Sequence, residues 1–171
     1  KSARNISMDS TEADTYNKTG DGEKVKVGSG INQANLTVEE GLATLNQQPN
    51  ADGQVQAYET VLVNKLGKVR LNSLDQVKHT NITLNQGTLD FNGLDFNLTE
   101  STQENSGLYA QILNGNLVND SLTPSNLTYG LSSERAILGN IGGTAGEINL
   151  AYQPQETTSS LALHGNSVLN I

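Results

Sequence analysis

Gly67-Lys68-Val69-Arg70-Leu71-Asn72 returns twenty residues later as Gly87-Thr88-Leu89-Asp90-Phe91-Asn92-Gly93. In each unit two apolar residues spaced by two face one side of a strand, and the polar residue between them faces the other. Twenty residues is about one coil of a parallel β-helix, at the short end of the periods that mark stacked repeats. Gly146-Glu147-Ile148-Asn149-Leu150 repeats the opening of the unit further along. Working outward, the same spacing recurs in Val25/Val27, Leu36/Val38, Val61/Val63, Ile82/Leu84, Phe96/Leu98, Leu161/Leu163 and Leu169/Ile171. Each pair is read as the core side of a short strand. No segment sustains helical spacing for more than about two turns. Asn72, Asn92, Asn114 and Asn166 follow strands, where Asn suits tight corners because it tolerates the left-handed region.

A β-sandwich is the competing fold, since Asp52-Gly53 and Asn92-Gly93 suit hairpin turns. A sandwich has no reason to repeat a motif at one coil length, and it draws more of its core from aromatic rings. Aromatics are only 4% here and Trp is absent, whereas a narrow solenoid is filled well by Leu, Val and Ile. The sequence therefore predicts an all-β chain, a right-handed single-stranded parallel β-helix. Residues 1–24 read as a polar linker or loosely packed edge segment, and residues 25–171 as the β-helix itself.

The formal net charge is −8, which repels phosphate backbones and argues against a nucleic-acid partner. Cysteine is absent, which removes disulfides, thiolate metal sites and a cysteine nucleophile. No apolar run approaches the roughly 20 residues of a membrane-spanning helix, and Lys1 opens no signal peptide. The chain reads as an internal piece of a larger protein. Cut coil ends expose strand edges and core side chains, so end-to-end self-association is expected.

Candidate chemistry is sparse. His79 and His164 lie 85 apart with no nucleophile motif and no zinc-type spacing, and they read as polar residues at coil corners. Asp90 and Asp95 flank Asn92-Gly93, but Arg70 falls one coil below Asp90. If the two units stack in register, Arg70 and Asp90 form an outward surface ion pair worth a few tenths of a kcal/mol. That reading outweighs a catalytic carboxylate pair of the glycosidase kind. Asn5, Asn17, Asn35, Asn81, Asn97, Asn119 and Asn126 head Asn-x-Ser/Thr matches, as an Asn- and Thr-rich strand surface does without glycans. Gly139 to Gly143 lacks the Lys-Ser/Thr ending of a phosphate loop and reads as a turn. No catalytic, cofactor-binding or metal-binding residue is assigned, and no cofactor is expected. The insertions Gln47 to Val55 and Ser101 to Gly107 are the expected places for partner contacts.

Several ordered blocks resemble a known family. They are the run Leu36 to Pro49, Asp52-Gly53, Val55 to Tyr58, Gly67 to Asn72, Asp75 to Val77 and Gly87 to Gly93. A second group comprises Gly146 to Pro154, Leu161 to Asn166 and Leu169-Asn170. Together they are similar to the passenger domains of immunoglobulin A protease and Hap-like serine protease autotransporters, over roughly Val25 to Ile171. The resemblance implies a β-helical stalk at the cell surface or outside a Gram-negative bacterium. It also implies a serine protease domain and an outer-membrane barrel elsewhere in the full chain, and a host extracellular protein as a partner. The Gly-Asp-Ser-Gly-Ser nucleophile motif of that family is not in this sequence. Val27-Gly28-Ser29-Gly30 lacks the preceding Asp, so no catalytic residue carries over. The expected function is a non-catalytic stalk that presents the protease domain and shares in substrate or host binding. An adhesin that binds host matrix or cells is the alternative, and a polysaccharide-processing β-helix is a third reading.

Overall fold

A computed structural model describes residues 4–7, 15–77, 81–99, 111–131, 136–142 and 145–152. The first strands are β1 (Arg4–Ser7), β2 (Thr15–Lys18), β3 (Glu23–Ile31), β4 (Asn35–Gln48) and β5 (Val55–Gln56). Then come β6 (Thr60–Leu71), β7 (Ile82–Asn85), β8 (Thr88–Asp90) and β9 (Phe96–Thr99). The last are β10 (Gln111–Val118), β11 (Ser125–Gly130), β12 (Ala136–Ile141) and β13 (Ile148–Tyr152). Every pairing among the described strands is parallel. Strands that are consecutive in the chain and also paired are joined by coil turns, so the chain is a β-solenoid. A ten-stranded sheet runs β1-β3-β4-β6-β7-β10-β12 with β2, β5 and β8 attached, and a separate sheet runs β13-β11-β9. Asp52-Gly53 and Asn92-Gly93 are turns between successive rungs and join no antiparallel strands.

The predicted repeat is one coil. Val69 stacks on Leu89 and Arg70 on Asp90, the offset of twenty read from the two glycine units. Interior side chains form columns along the axis. One runs Val38, Val63, Leu84, Ile112, and another runs Ala43, Val69, Leu89, Leu117, Ile141. All of these residues are buried. Each Leu or Val so removed from water contributes about 1.5–3 kcal/mol, set against the entropy of ordering the coil. Asn92 and Asn114 adopt φ of 53° and 54°, as their corner positions predict, and Asn92 donates to Asn72 Oδ1 at 3.2 Å. Asn166 lies outside the described residues.

The glycine that opens each unit has a steric reason that strand patterning does not reveal. β4, β6 and β10 each turn a corner in mid-strand, and the glycines at that corner sit on the coil below. A Cβ on Gly67 would lie 2.5 Å from the Val38 carbonyl oxygen. On Gly87 it would strike the Val63 carbonyl oxygen, and on Gly115 it would lie 2.6 Å from Leu84 Cβ. Gly41 opposes Gly67 in the same register.

Two details differ from the pattern reading. The Gly146 unit forms β13, whose Leu150 stacks on Leu127 in the three-stranded sheet, so it is not on the Val69/Leu89 side. The parity of Lys24-Val25-Lys26-Val27 is reversed. Lys24 and Lys26 stack on Ala43 and Leu45, while Val25 stacks on Thr44 in the outward column. Lys18 stacks on Val38 in the same way. The described residues before Val25 include β1 and β2, paired in parallel with β3 and β4.

Lys18 and Lys26 are both buried, an expensive placement for an ammonium group. Lys18 Nζ donates to the carbonyls of Gly20 (2.5 Å), Glu40 (2.7 Å) and Thr19 (3.3 Å). Burial, and next the charge of Lys24, hold its pKa below the ordinary 10.5. Between that lowered value and 10.5 the folded chain binds fewer protons at Lys18 than the unfolded chain. Stability therefore rises with pH across that window. Compared with Lys18→Met, the parent chain should gain stability as pH climbs toward 10.5, as read by urea denaturation at matched ionic strength. A difference that stays flat or falls with pH contradicts the placement of Lys18.

Candidate functional site

Charged side chains converge at one place among the described residues. Arg70 and Asp90 are register partners, as the twenty-residue offset predicts, and Arg70 Nε donates to Asp90 Oδ2 at 2.8 Å. The expectation of an exposed surface pair is corrected by the burial, because Asp90 is 0% exposed. The segment after β10 brings Asp120 over it. Asp90 Oδ1 accepts from the backbone N–H of Asn92 at 3.0 Å and of Asp120 at 3.1 Å. Asp120 Oδ2 accepts from Lys68 Nζ and from Arg70 Nη2, the latter at 3.2 Å. Lys68 Nζ also lies 3.5 Å from Asp90 Oδ2.

This arrangement suits a structural clamp. Burial opposes the charge on Arg70, but the hydrogen bonds and charges of Asp90 and Asp120 outweigh it and raise its pKa. Asp90 accepts from two backbone N–H groups and a guanidinium, which leaves no open face toward a substrate. Asp95 belongs to a different network, accepting from Asn126 N at 2.9 Å and Asn126 Nδ2 at 2.8 Å. The two carboxylates therefore bond to different partners, Asp90 within the clamp and Asp95 along the Asn126 ladder. Lys68 and Asp120 escaped the sequence reading. Asp120 sits thirty residues from Asp90 in a coil of unequal length, where the local pattern carries no register.

Other sequence candidates resolve in place. Asn119 heads an Asn-x-Ser match, yet it is buried and bonded on both ends of its amide. Its Oδ1 accepts from Gly93 N and Ser121 N, and its Nδ2 donates to the carbonyls of Thr123 and Glu147. It holds three successive coils together and has no room for a glycan. Asn81 is buried too, donating to the Glu59 carbonyl at 2.7 Å. Asn126 lies on an exposed ladder, bonded to Asp95 below and to Asn149 above. Gly139 lies within strand β12 and not in a phosphate-cradling loop. His79, His164 and the Ser101 to Gly107 insertion lie outside the described residues.

A groove of about 570 Å³ opens where the coil departs from regular strand. β5 pairs with β3, and the three-stranded sheet ends at β9. Between these levels residues 72–77 run as bends and a turn, with Asp75 at φ 63°. The Gln76 carbonyl accepts from Ala57 N and Tyr58 N, so the turn is held just beyond β5. Val55, Gln56, Phe96 and Asn97 then face the groove, together with part of the Gln47 to Val55 insertion.

No family model and no solved structure matches the chain. Curated relatives do. The chain is 34% identical over 180 residues to the adhesion and penetration protein autotransporter of Haemophilus influenzae, a match covering 92% of this chain. It is 37% identical over 89 residues, half of its length, to the serine protease SepA autotransporter of Shigella flexneri. It is 36% identical over 106 residues, 60% of its length, to the IgA-specific serine endopeptidase autotransporter of Neisseria gonorrhoeae. The chain is a homologue of autotransporter passenger regions. It spans about 13%, 6% and 7% of the lengths of those three relatives. The solenoid anticipated from the glycine units is the observed fold. Such passengers are displayed on the surface of Gram-negative bacteria or released from it. The described residues of this passenger segment hold an ionic clamp around the buried Asp90, interior lysines and a groove, and no helix among them is long and apolar enough to cross a membrane.

Proposed function

We propose that this passenger segment is a non-catalytic β-helical stalk of a secreted serine protease autotransporter, holding a protease domain away from the outer membrane. The observation that carries this reading is the parallel ladder over an apolar interior, with the main charged cluster of the described residues consumed in internal hydrogen bonds. Stacked coils make a stiff rod, and stability adds from coil to neighbouring coil. The protease domain, the membrane barrel and any host target belong to the full chain. Deleting residues 25–171 from the full protein should lower cleavage of a large folded substrate while sparing a short peptide substrate. Equal loss on both substrates, or loss on neither, overturns the stalk role.

The name of the Haemophilus relative favours a second reading, in which the β-helix itself is an adhesin. Replacing the Gln47 to Val55 insertion would then abolish binding to host cells and leave proteolysis unchanged. Unaltered cell binding by that variant counts against adhesion through this insertion.

A further inference from the structure

We infer that the groove between β5 and β9 is a docking site for an extended peptide strand that alternates apolar and basic residues. This inference is independent of the stalk role. The groove lies at the end of a sheet. Among the described residues β9 is the terminal strand of the three-stranded sheet, and the neighbouring level is a turn in place of a strand. A groove bounded by a terminal strand is where an added strand extends a sheet, main-chain bonds supplying affinity and alternate side chains supplying selectivity. β9 is four residues long, which fits a short segment.

The lining states the chemistry of the occupant. Ile31 and Leu74 line the groove, and they are 51% and 46% exposed. Large apolar side chains clustered at a concave site mark an interaction surface. Among the described residues the charged groups of the lining are the carboxylates of Asp75 and Asp95, in a chain whose net charge is −8. That complementarity selects a cationic segment, with apolar side chains toward Ile31 and Leu74 and ammonium or guanidinium groups toward the two carboxylates.

The test uses this chain and a fluorescein-labelled peptide of alternating valine and lysine, with a valine–glutamate counterpart and a version with proline at its centre. Anisotropy should show the lysine peptide bound and the glutamate and proline peptides not bound. Asp75→Asn with Asp95→Asn should raise Kd about tenfold, the size expected for two exposed ion pairs. Asn keeps the acceptor that Asp95 offers Asn126 and tolerates the φ of Asp75, so this variant stays folded. Asp21→Asn with Glu39→Gln changes the net charge equally, away from the groove, and should leave Kd within about twofold. Any of four results overturns the inference: equal binding of the glutamate peptide, undiminished binding of the proline peptide, equal weakening in the charge-matched control, or no binding at millimolar lysine peptide.

Discussion

Asp90→Ala should destabilise the solenoid by about 3–5 kcal/mol, the range for breaking a buried ion pair from one side. The substitution removes the acceptor of Arg70 Nε and of the Asn92 and Asp120 backbone N–H groups in one step. Two cations, Arg70 and Lys68, would remain beside Asp120 alone. The donors left without their buried acceptor account for most of the penalty, since Asp90 is fully buried. Adding Arg70→Met to Asp90→Ala should therefore recover part of the loss. Asp95→Ala serves as the comparison, because Asp95 is exposed and bonds only along the Asn126 ladder. It should cost less than about 1 kcal/mol. Urea denaturation midpoints check all three variants. An Asp90→Ala chain that unfolds within about 1 kcal/mol of the parent would show that Asp90 is hydrated, contrary to the clamp.

Gly87→Ala carries the second large effect, about 3 kcal/mol of destabilisation by overpacking. The added methyl group would meet the Val63 carbonyl oxygen and lie 2.6 Å from Val63 Cγ1. A carbonyl held in a parallel ladder cannot retreat without breaking the pairing between β6 and β7. Gly22→Ala is the contrasting case, since nothing lies within 4 Å of its added Cβ and its φ is not positive. It should change stability by no more than about 0.5 kcal/mol. Equal effects of the two substitutions, measured by the same denaturation midpoints, would refute the stacked-corner account of these glycines.

Much of the architecture was legible because a solenoid repeats local information. The spacing of Val69/Leu71 and Leu89/Phe91 marks strands with one apolar face, and the interval from Gly67 to Gly87 is the coil itself. Alternation with period two, however, does not say which member of a pair faces inward when both are long side chains. Lys24-Val25-Lys26-Val27 satisfies either parity, and stacking on Ala43 and Leu45 decides it. The lysine stems also fill interior space with methylene groups, which softens the penalty that would otherwise reject this parity.

The amino-acid sequence alone determined the fold class, the coil length at its most regular point, the corners at Asn92 and Asn114 and the pairing of Arg70 with Asp90. Those features arise from residues within one or two coils of each other, whose order along the chain is their order in space. The tertiary structure decided the burial of Asp90, the placement of the Gly146 unit on a second sheet and the existence of the groove. Successive rungs are separated by nineteen residues from Lys24 to Ala43 but by thirty-one from Phe96 to Leu127. Unequal coils let the segment bearing Asp120 fold over Asp90, and put the turn at Asp75 between β5 and β9 in place of a strand. The contacts that set those positions lie along the solenoid axis, a direction in which the sequence carries no fixed period.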